Sequence, residues 1–121
     1  MNVQIFGLKN SQASRAAERF FKERRIQVQY VDLKQRPMSP GELKRFTDRF
    51  GLQSLLDTTA KAYEDAGLRY LKLTEADLLR RIEADGRLLK LPLVRLANKL
   101  SVGHDEEAWK AMAAEAAAAA R

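Results

Sequence analysis

VQIFGLKNSQASRAAERFFKERRIQVQYVDL, residues 3–33, decides the fold. Val3, Ile5, Phe6 and Leu8 form a short apolar run closed by Gly7 and a Lys9-Asn10 turn, the pattern of a buried first strand. Ser11 then stands where a helix N-cap belongs, its hydroxyl placed to accept from an orphan amide of the first turn. Ala13, Ala16, Ala17, Phe20 and Phe21 recur at helical spacing while Arg15, Arg19 and Lys22 take another face, which predicts an amphipathic helix from about Ser11 to Arg25. Val28, Tyr30 and Leu33 alternate with Gln29, Val31 and Asp32 in a β-prone stretch, the second strand. Two strands joined by one helix pair in parallel through a right-handed crossover.

Further along, Ser39-Pro40-Gly41-Glu42 combines an N-cap, proline in the first turn and glutamate three residues after the cap, opening a helix to about Phe50 with Gly51 as its stop. Residues 54–67 read as one more helix, with Leu55, Leu56, Ala60 and Tyr63 apolar. Thr74-Glu75-Ala76-Asp77 opens another, which Leu78, Leu79 and Ile82 carry to the Asp85-Gly86 break. Leu93, Val94 and Leu96 follow Pro92, and residues 100–102 follow across Asn98-Lys99, a tight hairpin. Asp105, Glu106 and Glu107 sit at the positive end of a last helix, and Trp109 and Met112 supply its buried face. The aromatics, Phe20, Phe21, Phe46, Phe50 and Tyr63 among them, are read as core. Past Met112 the alanine-rich tail has helix propensity but little bulk, so its end is expected to fray. The order β-α-β, helices, β-β-α is an α/β arrangement similar to thioredoxin, with a mixed four-stranded sheet. It is expected as a single domain over residues 1–121, with a helical insertion at about 38–88 and a tail at 113–121.

Composition narrows the chemistry. The 121 residues contain no cysteine and one histidine, His104, so thiol catalysis, disulfide relay and zinc clusters lack their ligands. His104 is expected at a turn, exposed or capping. No uncharged run is long enough to span a membrane and the N-terminus has no signal-peptide core, so a cytoplasmic protein is expected. The net charge of +6 sits in the first half: residues 1–50 hold eleven Lys/Arg against five Asp/Glu, residues 51–121 eleven of each. Such asymmetry fits an acidic partner surface. Arg15, Arg19, Lys22, Arg24, Arg25, Lys34 and Arg36 could meet phosphates, but no recognised reading motif accompanies them, and direct nucleic-acid binding is not expected.

Several strings in order carry a family resemblance: Ile5 to Asn10; Tyr30 to Lys34; Leu56-Asp57-Thr58 leading to Lys61-Ala62-Tyr63 and Gly67-Leu68; Leu73-Thr74-Glu75; Lys90-Leu91-Pro92-Leu93-Val94; and Val102-Gly103-His104 through Trp109. Over residues 3 to 112 the chain resembles the glutaredoxin-like arsenate reductase (ArsC-like) family, which includes Spx-type transcription regulators and YffB-type proteins. The resemblance implies that Ser11 occupies the position of the nucleophilic cysteine. A serine hydroxyl has neither the acidity nor the nucleophilicity of a thiol at a helix N-terminus. It implies too that the arginines holding the oxyanion are replaced, by Asp57, Thr58 or Thr59 in one region and by Leu91 in the other. Pro92 matches the family's proline, and Leu91-Pro92 is expected to be cis.

The expectation is therefore a non-catalytic binding or regulatory protein, with a degenerate site formed by Asn10, Ser11, Gln12, Leu91 and Pro92 and no metal or cofactor. The partner would be a protein with an acidic surface. One alternative is an Spx-like regulator that binds RNA polymerase. Another is a glutathione-dependent enzyme in which Ser11 stabilises the thiolate that glutathione brings.

Overall fold

The computed structural model describes residues 2–119 and divides them into two units, one taking the chain up to Asp32 together with Leu91 onward, the other Leu33–Lys90. In the first unit, β1 (Val3–Gly7), α1 (Gln12–Glu23) and β2 (Val28–Asp32) form the expected parallel βαβ, with Val3 opposite Val28 and Gly7 opposite Asp32. β3 (Leu93–Leu96) pairs antiparallel with β1, and β4 (Lys99–Val102) with β3, giving the mixed sheet order β2-β1-β3-β4.

One face of this sheet is built in rows. Tyr30, Ile5, Val94 and Ser101 lie side by side across the four strands. Val3, Ile5, Val94 and Leu96 pack with Ala17 and Phe21 of α1 and with Trp109, Met112 and Ala116 of the last helix. Each of these is nearly or fully withdrawn from water, so this cluster is the main hydrophobic stabilisation of the unit. The last helix, Glu106–Ala119, is capped by Asp105, whose Oδ1 accepts from Ala108 N–H at 3.1 Å. It runs through the alanines to Ala119 and buries Ala116; residues 120–121, the end where fraying is expected, lie outside the described residues.

The second unit holds the helices of the expected insertion. α2 (Pro40–Phe50) opens with the full capping box: Glu42 N–H donates to Ser39 Oγ at 3.2 Å and Ser39 N–H to Glu42 Oε1 at 2.9 Å. The expected single helix over 54–67 is instead two short ones, α3 (Leu52–Leu55) and α4 (Lys61–Asp65). Leu56 leaves the helix to bridge Leu89, and Lys90 N–H takes Leu55 O at 2.7 Å. Apolar spacing persisted across this break because each short helix buries apolar residues, Leu52 and Leu55 in one and Ala62 in the other, with Leu56 buried between them. A 3-10 turn (Leu68–Tyr70) leads to α5 (Glu75–Ala84), capped by Thr74, and a second (Gly86–Leu88) ends the unit.

The hairpin also differs by one position. Its two connecting residues are Ala97 and Asn98, with Ala97 at φ 54°, and Lys99 already pairs with Leu96. The ladder set by Leu93 opposite Val102 fixes this register and overrides the local preference for asparagine as the first turn residue.

Candidate functional site

Strand β1 delivers the site. It ends at Gly7, and because Phe6 lies opposite Leu93 in the antiparallel ladder, Pro92 falls at the same end of the sheet as the turn into α1. That topology gathers Asn10, Ser11 and Gln12 with Leu91 and Pro92 at one sheet end. Leu91-Pro92 is cis, as expected, Pro92 is buried, and Pro92 O accepts from Gly103 N–H at 2.9 Å. Leu91 is half-buried, and Asn10 and Gln12 are exposed.

Ser11 heads α1 with extended backbone, φ −86° and ψ 118°. Its N–H donates to Leu8 O and its carbonyl accepts from Arg15 N–H, both at 3.0 Å. Its Oγ accepts from Ser14 N–H at 3.2 Å. The hydroxyl is thus a working N-cap, worth about 1 kcal/mol of helix stability. His104, the one imidazole, has Nε2 3.2 Å from Glu106 Oε1, is exposed, and rests its ring 4.9 Å from Trp109.

Behind Ser11 lies a polar knot that the sequence reading did not single out. Ser14 is fully buried, and its Oγ accepts from Leu8 N–H at 3.4 Å. A β-carbon on Gly7 would lie 2.4 Å from Ser14 Oγ, 2.7 Å from Ser14 Cβ and 2.9 Å from Tyr30 Oη, so only glycine fits there. Tyr30 Oη is buried beside Ser14 without a hydrogen bond of regular geometry. Burial pushes its phenol above the ordinary value of 10; the Ser14 hydroxyl opposes this, while Glu18 and Asp32 add to it. One signal was present in the sequence: Ser14 shares the helical stripe of Ala17 and Phe21, and a serine on a buried stripe needs a partner.

Asp57 belongs to the other unit and has a local task. Its Oδ1 accepts from Thr59 N–H at 3.1 Å and from Thr59 Oγ1 at 2.7 Å, an Asx turn that links α3 to α4.

With serine at the head of α1, a cis-proline beside the same sheet end and the βαβ–ββα order in place, comparison with known proteins is decisive. The ArsC family model matches residues 6–112. The chain belongs to the ArsC family. Among curated relatives, the global transcriptional regulator Spx 2 of Oceanobacillus iheyensis is 28% identical over 110 residues, covering 88% of this chain and 80% of that protein. The Bacillus subtilis protein YusI is 23% identical over 114 residues, covering 91% and 97%. Of solved structures, an arsenate reductase from Vibrio cholerae superposes with a TM-score of 0.79 at 19% identity, covering 93% of this chain and 98% of that one. This ArsC-family chain therefore keeps the fold of its relatives while carrying no sulfur at the head of α1. Among the described residues no cluster of His, Asp and Glu is arranged to hold a metal, and no helix is long and apolar enough to cross a membrane.

Proposed function

We propose that this chain is a non-catalytic binding protein of the cytoplasm, built on the ArsC scaffold. The observation that carries the reading is Ser11: in a chain without cysteine, the residue heading α1 is an alcohol whose oxygen serves as the helix cap. An alcohol cannot form the sulfur–arsenic or mixed-disulfide intermediates of a thiol reductase. Leu91 and Asp57 point the same way, since neither supplies the forked cationic grip an oxyanion requires.

The test is arsenate reduction assayed with the glutathione and thioredoxin systems. The unmodified chain is expected to give no turnover, and turnover would overturn the reading. Recovery of activity in a Ser11→Cys, Leu91→Arg variant would show that the scaffold is competent and that the missing groups explain the silence. A glutathione titration followed by amide shifts near Ser11 and Pro92 is expected to move none of them; shifts there would favour an enzyme that borrows its thiol.

Within this reading, similarity to Spx 2 favours a role in transcription through RNA polymerase, to which the basic first half of the chain lends support. Retention of purified polymerase subunits on the immobilised chain checks it, and their passage at low salt would remove it.

A further inference from the structure

The turn that closes α1 carries an arginine where glycine is the usual residue. Ile26 N–H donates to Phe21 O and Arg25 N–H to Lys22 O, both at 3.0 Å, the paired bonds of a Schellman C-cap. Arg25 sits at its left-handed position with φ 57°, a conformation that a β-carbon disfavours. This turn forms one wall of a groove of about 560 Å³; the other wall is the face of the last helix carrying Ala113, Ala114 and Ala117.

The two guanidinium groups on the groove are differently held. Arg24 lies over the Phe20 ring, 3.5 Å from its centroid, and Nη1 donates to Phe20 O at 2.9 Å, so its fork is fixed before any ligand arrives. Arg25 is exposed beside it. Among the described residues, neither has a carboxylate within ion-pair distance. Opposite them, a wall of methyl groups offers no hydrogen bonds but lets another helix approach closely.

We propose that this groove docks an acidic, amphipathic helical segment of a partner protein, its carboxylates on Arg24 and Arg25 and its apolar stripe on the alanine wall. The proposal rests on the reading of the chain as a binding protein and gives that partner a chemistry and a place. Charge complementarity selects carboxylates. The apolar wall selects a protein over a nucleic acid, whose phosphate backbone gains from a line of cations and nothing from methyl groups.

The test is fluorescence anisotropy with a labelled amphipathic helix of glutamate, alanine and leucine. The chain is expected to bind it and not its lysine-for-glutamate counterpart. Arg25→Gly should weaken binding about tenfold or more while raising the melting temperature, because glycine accepts the left-handed backbone. Ala117→Trp, at an exposed position, should block the groove to a similar degree. Arg45→Ala on α2 removes the same charge elsewhere and should change nothing. Absence of peptide binding, equal weakening by Arg45→Ala, or duplex DNA binding that Ala117→Trp abolishes would each overturn the proposal. The two readings fail separately: silence of the peptide sinks the groove, whereas arsenate turnover sinks the non-catalytic assignment.

Discussion

Ser14 stands directly against Gly7, so that the last residue of β1 has room for a hydrogen and nothing larger. Ser14 is fully buried and cannot swing aside. Gly7→Ala should therefore destabilise the fold by roughly 1–3 kcal/mol, the usual range for overpacking a filled core. Adding Ser14→Gly removes the two nearest of the three clashing atoms and leaves Tyr30 Oη, so the double variant should lose less than the sum of the two single losses. Urea denaturation of the four proteins in the cycle measures the coupling.

Ser11→Ala removes the oxygen that caps α1 and should reduce stability by about 1 kcal/mol, while Ser11→Asp should restore most of it. Placed in the same position, the thiol of Ser11→Cys should titrate below the ordinary cysteine value of about 8.5, because the helix N-terminus favours the thiolate. The pH dependence of its alkylation rate reads this directly. An unshifted thiol would show that this helix end does not favour a negative charge.

Arg25→Gly should stabilise the isolated chain by about 1 kcal/mol, the penalty a β-carbon incurs in the left-handed region. Thermal or urea unfolding checks it. Unchanged or reduced stability would mean that the arginine side chain contributes contacts outweighing its backbone strain.

Glu42 links α2 to acid stability. The Arg36 guanidinium, forked onto its carboxylate at 3.0 and 3.2 Å, is the chief reason that this group titrates below its usual 4.5, with Ser39 adding to the effect against partial burial. A depressed folded value means that the stabilisation is whole above 4.5 and disappears as pH falls through the lower, folded value. Wild type should thus lose more stability between neutral and strongly acidic pH than Glu42→Gln, which keeps a capping side chain but not the charge. Denaturation midpoints of the two proteins across that window should converge in acid; parallel curves would contradict the assignment.

Tyr30→Phe should be neutral or slightly stabilising, since the phenol oxygen is buried without a regular hydrogen bond and its removal leaves no new orphan except the Ser14 hydroxyl, which keeps the Leu8 amide. A loss above about 1 kcal/mol would show that Ser14 and Tyr30 are bonded in solution.

Where local chemistry and tertiary packing agree, the sequence was readable. Ser11, Ser39 and Thr74 each cap the helix that their spacing announces, and the alternating strand after residue 27 pairs with β1 as expected. Reading failed where a long-range bond cut across a local pattern. Leu56 looks helical by period, yet its backbone bridges Leu89, more than thirty positions away. Ala97 has no intrinsic leaning to φ 54°, and the β3–β4 register imposes it. At the site, Ser11, Leu91 and Pro92 were legible because the family places them, whereas Ser14 and Tyr30 became visible only through Gly7, whose missing side chain marks their approach.

Alcohol in place of thiol at the head of α1 has one more effect. Sulfur climbs through sulfenic, sulfinic and sulfonic acids, and the serine oxygen has no such ladder. Peroxide or a shifted glutathione pool leaves the bond from the Ser14 amide to Ser11 untouched. A protein so equipped is deaf to oxidative stress at this position.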